Sequence, residues 1–185
     1  FVLQDIIGMI KDSITPYTKI NNNTLEIKVP SKPLKIFSDE LKFKQILFNL
    51  LTNACKYSEE SNVLFEIKEK MINNIRYINI TVADKGIGIA KNELNDIFDP
   101  FTRVNKDKNA NIEGTGLGLA ICKAYVDLLG GEISVKSKLN VGTTFTCQIP
   151  FDYHSKIKIS KTLNQIDTLT ENSNQSYKIF IVDDD

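Results

Sequence analysis

Asn49 and Asn53 stand one helical turn apart, and Lys56 follows three residues later. Amide oxygens suit Mg²⁺, a hard ion that keeps several of its waters and shares phosphate oxygens. The lysine ammonium suits phosphate as a point charge. A solvated helix face is the plainer account of such a stripe. Two asparagines among good helix formers fit it poorly, because asparagine is a weak helix residue whose side chain competes for backbone hydrogen bonds.

Two glycine clusters offer further chemistry. Gly114-Thr115-Gly116-Leu117-Gly118 falls where a polar loop becomes a helix, so exposed N–H groups and the positive end of the helix dipole can hold phosphate there. A simple turn and helix cap would also explain it. Other phosphate loops match poorly: there is no GxxxxGK[ST], and GTGLGLA lacks GxGxxG spacing after a strand. Asp84 ends an apolar run and is followed by Gly86 and Gly88. A carboxylate at the edge of a pocket can accept a hydrogen bond from an exocyclic amine such as that of adenine, although Asp before Gly is also an ordinary turn.

The elements that must position these groups follow from periodicity. Residues 1–20 carry Val2, Ile6, Ile7, Ile10 and Ile14 at helical spacing. Thr24-Leu25-Glu26-Ile27-Lys28-Val29 alternates as a strand, and residues 34–37 read as a second short strand. Ser38-Asp39 then signals a helix start. The helix over residues 40–57 has an apolar stripe, Phe43, Leu47, Leu50, Ala54 and Tyr57, and a polar stripe, Gln45, Asn49, Asn53 and Lys56. Residues 63–70 and 76–83 alternate and form a hairpin around a Met-Ile-Asn-Asn connection. A short helix is expected over 91–96 and a mobile polar loop over 104–113. A further helix carries Leu117, Ala120, Ile121, Ala124 and Leu128 and ends at Gly130-Gly131. Residues 132–136 and 143–149 supply a last strand pair. Residues 152–176 have linker composition, and 177–182 read as a buried strand.

Composition narrows the function. With 42% hydrophobic residues the chain can build a core. Lys+Arg and Asp+Glu balance at 23 each, which argues against a nucleic-acid partner. No apolar run reaches the roughly 20 residues of a membrane span. Cys55, Cys122 and Cys147 lack CxxC spacing and read as buried thiols. A chain that starts mid-pattern at Phe1 and stops after an apolar run at Asp185 reads as a piece of a longer protein.

Taken in order, N-x-x-x-N-x-x-K-Y, DxGxG, FxPF, GTGLGL and GTTF resemble the histidine-kinase branch of the ATPase superfamily that includes gyrase, Hsp90 and MutL. The resemblance covers about residues 1–150. Residues 48–58 look like its N box, Asp84-Lys85-Gly86-Ile87-Gly88 like its first glycine box, and Phe98-Asp99-Pro100-Phe101 like its F box. Residues 114–119 look like the second glycine box, and Gly142-Thr143-Thr144-Phe145 like the closing strand motif. The implied fold is an α/β two-layer sandwich, with a mixed, mostly antiparallel sheet covered on one face by about three helices.

The resemblance also implies roles. ATP and Mg²⁺ are the implied cofactors, with Asn53 and Asn49 on the metal, Lys56 on the phosphates and Tyr57 against the nucleoside. Asp84 would take the adenine amine beside Gly86 and Gly88. Gly114, Thr115, Gly116, Leu117, Gly118 and Leu119 would cover the phosphates, and residues 104–113 would form a lid. Thr143 shares a strand face with Phe145 and would reach the adenine end.

Hydrolytic relatives carry a glutamate at the position of Asn49, and an amide is no general base. The expected activity is therefore phosphoryl donation to a histidine on a separate dimerisation domain, with Lys56 and Asn49 as the catalytic residues. A gyrase- or Hsp90-like hydrolase and a non-catalytic nucleotide sensor are the alternatives. His154, the one histidine, lies in the linker-like stretch. Residues 1–20 would join the dimerisation domain and 21–151 would be the catalytic domain. Lys178-Ile179-Phe180-Ile181-Val182-Asp183-Asp184-Asp185 resembles the first strand and acidic group of a receiver domain, whose acceptor aspartate would lie further on. This piece should be a cytoplasmic monomer, and the whole kinase a homodimer with or without a membrane anchor.

Overall fold

The apolar repeat of the first twenty residues becomes α1 (Leu3–Ile20), which buries Ile6, Ile7, Ile10 and Ile14 with Leu3 and Thr18. The structure, a computed structural model, describes residues 1–102 and 114–151. The expected lid, linker, His154 and strand 177–182 lie outside the described residues, which all belong to the unit Phe1–Tyr153. Strand β1 (Thr24–Lys28) follows, then α2 (Glu40–Lys56). Asp39 starts α2 as expected: its carboxylate accepts from the Lys42 N–H at 3.0 Å, satisfying one of the donors a helix start leaves open. Phe43, Leu47, Leu50 and Ala54 are buried, while Tyr57 is half-buried at the C-cap. Each large apolar side chain so buried contributes about 2 kcal/mol.

The remaining elements are β2 (Asn62–Ile72), β3 (Ile75–Ala83), α3 (Gly118–Leu128), β4 (Glu132–Lys138) and β5 (Gly142–Pro150). The sheet order is β1-β2-β3-β5-β4. β1 and β2 pair in parallel and the other three pairs are antiparallel. A parallel pair needs a crossover, and α2 is that crossover. Register puts Phe65 opposite Val82, Ile67 opposite Ile80, Ile80 opposite Cys147 and Val82 opposite Phe145. These alternate residues share one face and join the buried residues of the helices in a single core.

Several local expectations change. Residues 34–37 are not a strand: a lone Val2–Lys35 bridge forms, and Gln4 organises the loop. Its amide donates to the carbonyls of Pro30 and Lys32 and accepts from the Leu34 N–H. The hairpin connection shrinks to Asn73-Asn74, both with φ in the left-handed region at 50° and 62°, which suits a two-residue turn. Residues 91–96 form successive turns rather than a helix, with Glu93 N–H donating to Ala90 and Asp96 N–H to Glu93. Asn92, Asn95 and Asp96 favour such local bonding. On α3 the fully buried side chains are Cys122 and Val126, one turn apart, whereas Leu128 is exposed.

Candidate functional site

α2 lays its polar stripe along a cavity of about 260 Å³ whose opposite wall is the end of the sheet. Asn49, Asn53, Lys56 and Tyr57 line it from the helix, and Asp84, Gly88 and Thr143 from the sheet side. Gly114, Thr115, Gly116, Gly118 and Leu119 close a third side, at the start of α3. Gly86 and Leu117 are not among the lining residues. Gly86 lies under the Tyr57 carbonyl, and Leu117 is the N-cap residue of α3, its own carbonyl taken by the Ile121 N–H.

Asp84 is held from both sides. Its backbone N–H donates to the Thr143 carbonyl at 2.9 Å, and its Oδ1 accepts from the N–H groups of Gly86 and Thr143 at 2.8 and 3.2 Å. Burial raises its pKa above the ordinary aspartate value, and those two backbone bonds pull the other way. Beside it, Ser137 Oγ donates to the Gly142 carbonyl at 2.9 Å and accepts from the Ile89 N–H at 2.8 Å. The 2.9 Å contact between the Ser137 and Thr143 hydroxyls must then use the Thr143 proton. Thr143 therefore has only acceptor capacity left for the cavity it lines. A carboxylate and a hydroxyl oxygen at this end suit a ligand with amine donors and disfavour one presenting a carbonyl.

The far end is built differently. Gln45 Nε2 donates to Asn49 Oδ1 and Asn49 Nδ2 donates to the Gly118 carbonyl, both at 3.2 Å, so Asn49 ties α2 to the start of α3. Gly118 faces Asn49 and Asn53 with no bulk of its own. Phe98 of the FDPF stretch packs edge-on against Phe145, with ring centroids 6.4 Å apart, which fixes the segment leading to Thr102 on the cavity wall. Among the described residues no group of three or more His, Cys, Asp or Glu could hold a metal. The donors on hand are amide oxygens, which fit a cation that takes its remaining ligands from phosphate and water.

Sequence reasoning missed Tyr17, Phe48, Thr52, Ala54, Ile87, Ile89, Ile97, Thr102 and Phe145 as lining residues. Ile87 and Ile89 stand inside DKGIGI and were within reach of that motif. Tyr17, which packs edge-on against Phe48 with centroids 5.7 Å apart, comes from α1 and carried no signal beyond an aromatic on a helix. The three cysteines are buried free thiols. Burial pushes Cys55 up to about 11 and Cys122 up to about 12, so neither is a nucleophile near neutral pH.

A half-covered sheet with a cavity under its helices, a half-buried carboxylate at one end and glycines at the other, defines an ATP-binding domain of the α/β sandwich class. The chain belongs to the family described as histidine kinase-, DNA gyrase B-, and HSP90-like ATPase, which matches residues 38–153. Among curated relatives it is 36% identical over 121 residues to the sensor histidine kinase RcsC of Escherichia coli, covering 65% of this chain and 12% of that protein. It is 33% identical over 150 residues to hybrid signal transduction histidine kinase B of Dictyostelium discoideum, covering 78% of this chain and 8% of that one. The chain thus spans a small part of these relatives. Among solved structures, full-length ShkA in complex with AMPPNP superposes with a TM-score of 0.67 at 29% identity, over 80% of this chain and 30% of that one. Among the described residues no helix is long and apolar enough to cross a membrane.

Proposed function

We propose that this chain is the phosphodonor module of a hybrid sensor histidine kinase, presenting the ATP γ-phosphate to a histidine on a separate helical domain for relay to a receiver aspartate. One observation carries the choice of donor over hydrolase. Residue 49 is an amide, tied to Gln45 and to the Gly118 carbonyl, and not a carboxylate, so the helix offers no general base to activate water at that position. The relatives named as sensor and hybrid kinases support the same reading.

Asp84 and Thr143 accept the adenine amine and fix the base. Tyr57 and Tyr17 wall the nucleoside, and Lys56 neutralises phosphate charge. The N–H groups at 114–119 hold the phosphates at the start of α3. Asn53 would hold Mg²⁺, together with Asn49 through the one lone pair its Oδ1 keeps beside the Gln45 bond, and the ion when bound would supply charge neutralisation on the phosphates. Little covalent chemistry is asked of the protein, since positioning and charge stabilisation carry phosphoryl transfer. The test mixes this chain with the separately produced dimerisation domain of its own protein and labelled ATP. Acid-labile phosphohistidine on that domain is expected, with slow phosphate release from the chain alone. Fast steady-state hydrolysis without phosphohistidine would replace the donor reading with the hydrolytic one.

A further inference from the structure

The C-terminal turn of α2 bears Asn53 and Lys56, and Tyr57 caps it. A helix end leaves carbonyls without intrahelical partners, and here each finds one. The Asn53 carbonyl takes the Tyr57 N–H, and the Ala54 carbonyl takes the Ser58 hydroxyl at 2.6 Å. The Cys55 carbonyl receives Nδ2 of both Asn21 and Asn23, at 2.9 and 3.0 Å. The Lys56 carbonyl receives Asn21 Nδ2 at 3.3 Å, and the Ser58 carbonyl receives Asn23 Nδ2 at 2.9 Å. Asn23 is 8% exposed, and its Oδ1 accepts from the Ser61 N–H at 3.1 Å, so both amide protons and the amide oxygen are in use. One residue on, the Tyr57 carbonyl accepts the Ile87 N–H at 3.1 Å, joining this turn to the loop after Asp84.

We infer that Asn21 and Asn23, in the turn between α1 and β1, are positioning residues for the ligand's phosphate end, acting through the last turn of α2. The inference rests on the nucleotide reading above and adds residues outside every motif that led to it. Neither asparagine lines the cavity. Both hold the backbone from which Asn53 and Lys56 project, Asn21 at the Cys55 and Lys56 carbonyls and Asn23 at the Cys55 carbonyl. Without the clasp the turn has two polar groups to return to water, so it frays and Lys56 loses its fixed origin. The Asp84 end keeps its own backbone anchors, Gly86 and Thr143, and should be affected far less.

The experiment measures binding of a nonhydrolysable ATP analogue with Mg²⁺, and of adenosine, to the 185-residue chain. Asn23→Ala should weaken the analogue about tenfold and adenosine less than about twofold. Asn23→Asp, which keeps shape and acceptor but turns a carboxylate on the carbonyls, should show the same split. Ile10→Val, a core change on α1 remote from the clasp, is the control for lost stability and should leave both affinities unchanged. Should Asn23→Ala fail to fold, Asn21→Ala reads the same ratio at a half-buried position. Equal losses for the two ligands, or no loss beyond that of Ile10→Val, overturns the inference while the nucleotide site stands. A wild-type chain that binds neither ligand overturns both.

Discussion

Gly86 and Gly118, one from each glycine loop of the site, are opposites in how they use the missing side chain. At Gly86 a Cβ would fall 1.9 Å from the Tyr57 carbonyl oxygen, so the protein's own backbone fills the space. At Gly118 the nearest atom to such a Cβ is Asn49 Cγ at 3.8 Å, an ordinary contact. Gly86 is glycine because the fold demands it, and so is Gly116, where φ is +74° and a Cβ would fall 2.8 Å from the Phe101 carbonyl carbon. Gly118 meets no such obstacle, and it stands beside the amides of α2 on the cavity wall, where a ligand can approach. One position is a folding requirement and the other suits binding, although both look alike as sequence.

Substitutions can break that contrast. Gly86→Ala should cost about 3 kcal/mol, since the clash is with backbone that cannot swing aside, and chemical denaturation reads this directly. An unchanged midpoint would mean the close packing of that loop is wrong. Asp84→Asn should reduce ATP-analogue affinity about a hundredfold, by loss of a charged acceptor, while leaving the melting temperature unchanged or higher. The stability side follows from the raised pKa, because a desolvated carboxylate is removed. Gly118→Ala should keep the fold within about 1 kcal/mol, as alanine favours a helix start as much as it fills space, yet weaken the analogue about tenfold. If calorimetry finds it as destabilising as Gly86→Ala, the two positions are not opposites.

The smallest effect is the pH dependence at Asp84. With the folded pKa raised, the stability associated with its neutral form is complete below the ordinary 3.8 and is lost as pH rises through the folded value. Ligand binding runs the other way, because an amine donor needs the ionised acceptor. Affinity for adenosine should climb across that same window and then level off. The Asp84→Asn variant should lack this rise in a titration followed by calorimetry.

Much of this was legible in the sequence, for reasons that differ by residue. α2 was readable because its apolar and polar stripes obey one period, and Asp39 marks its start. Asp84, Gly88 and Thr143 were readable because the motifs keep strand ends and turns at fixed offsets. Residues 34–37 misled because a short apolar run reads as a strand even when its partners are scattered: the Gln4 side chain takes the Leu34 N–H, Phe1 the Ile36 N–H and Phe151 the Phe37 N–H. The helix expected at 91–96 failed because amides and carboxylates prefer local turns there. Tyr17 and the Asn21–Asn23 clasp were invisible, since their roles come from which helix end the chain folds them against. No spacing within α1 or the turn after it encodes that.

The hairpin turn at Asn73-Asn74 has a practical consequence. β1 pairs β2 only as far as Glu66, and β5 pairs β3 only from Tyr77, with the Phe151 N–H donating to the Arg76 carbonyl, so the tip formed by Met71, Ile72 and Ile75 around the turn runs past the neighbouring strands. Asp84 stands at the other end of β3, roughly 30 Å away at about 3.3 Å per residue. A fluorophore or an inserted tag at that tip would therefore sit on the same rigid strand as the ligand-facing carboxylate without touching the cavity. The tip is a ready handle for tethering or labelling the domain while its nucleotide chemistry is measured.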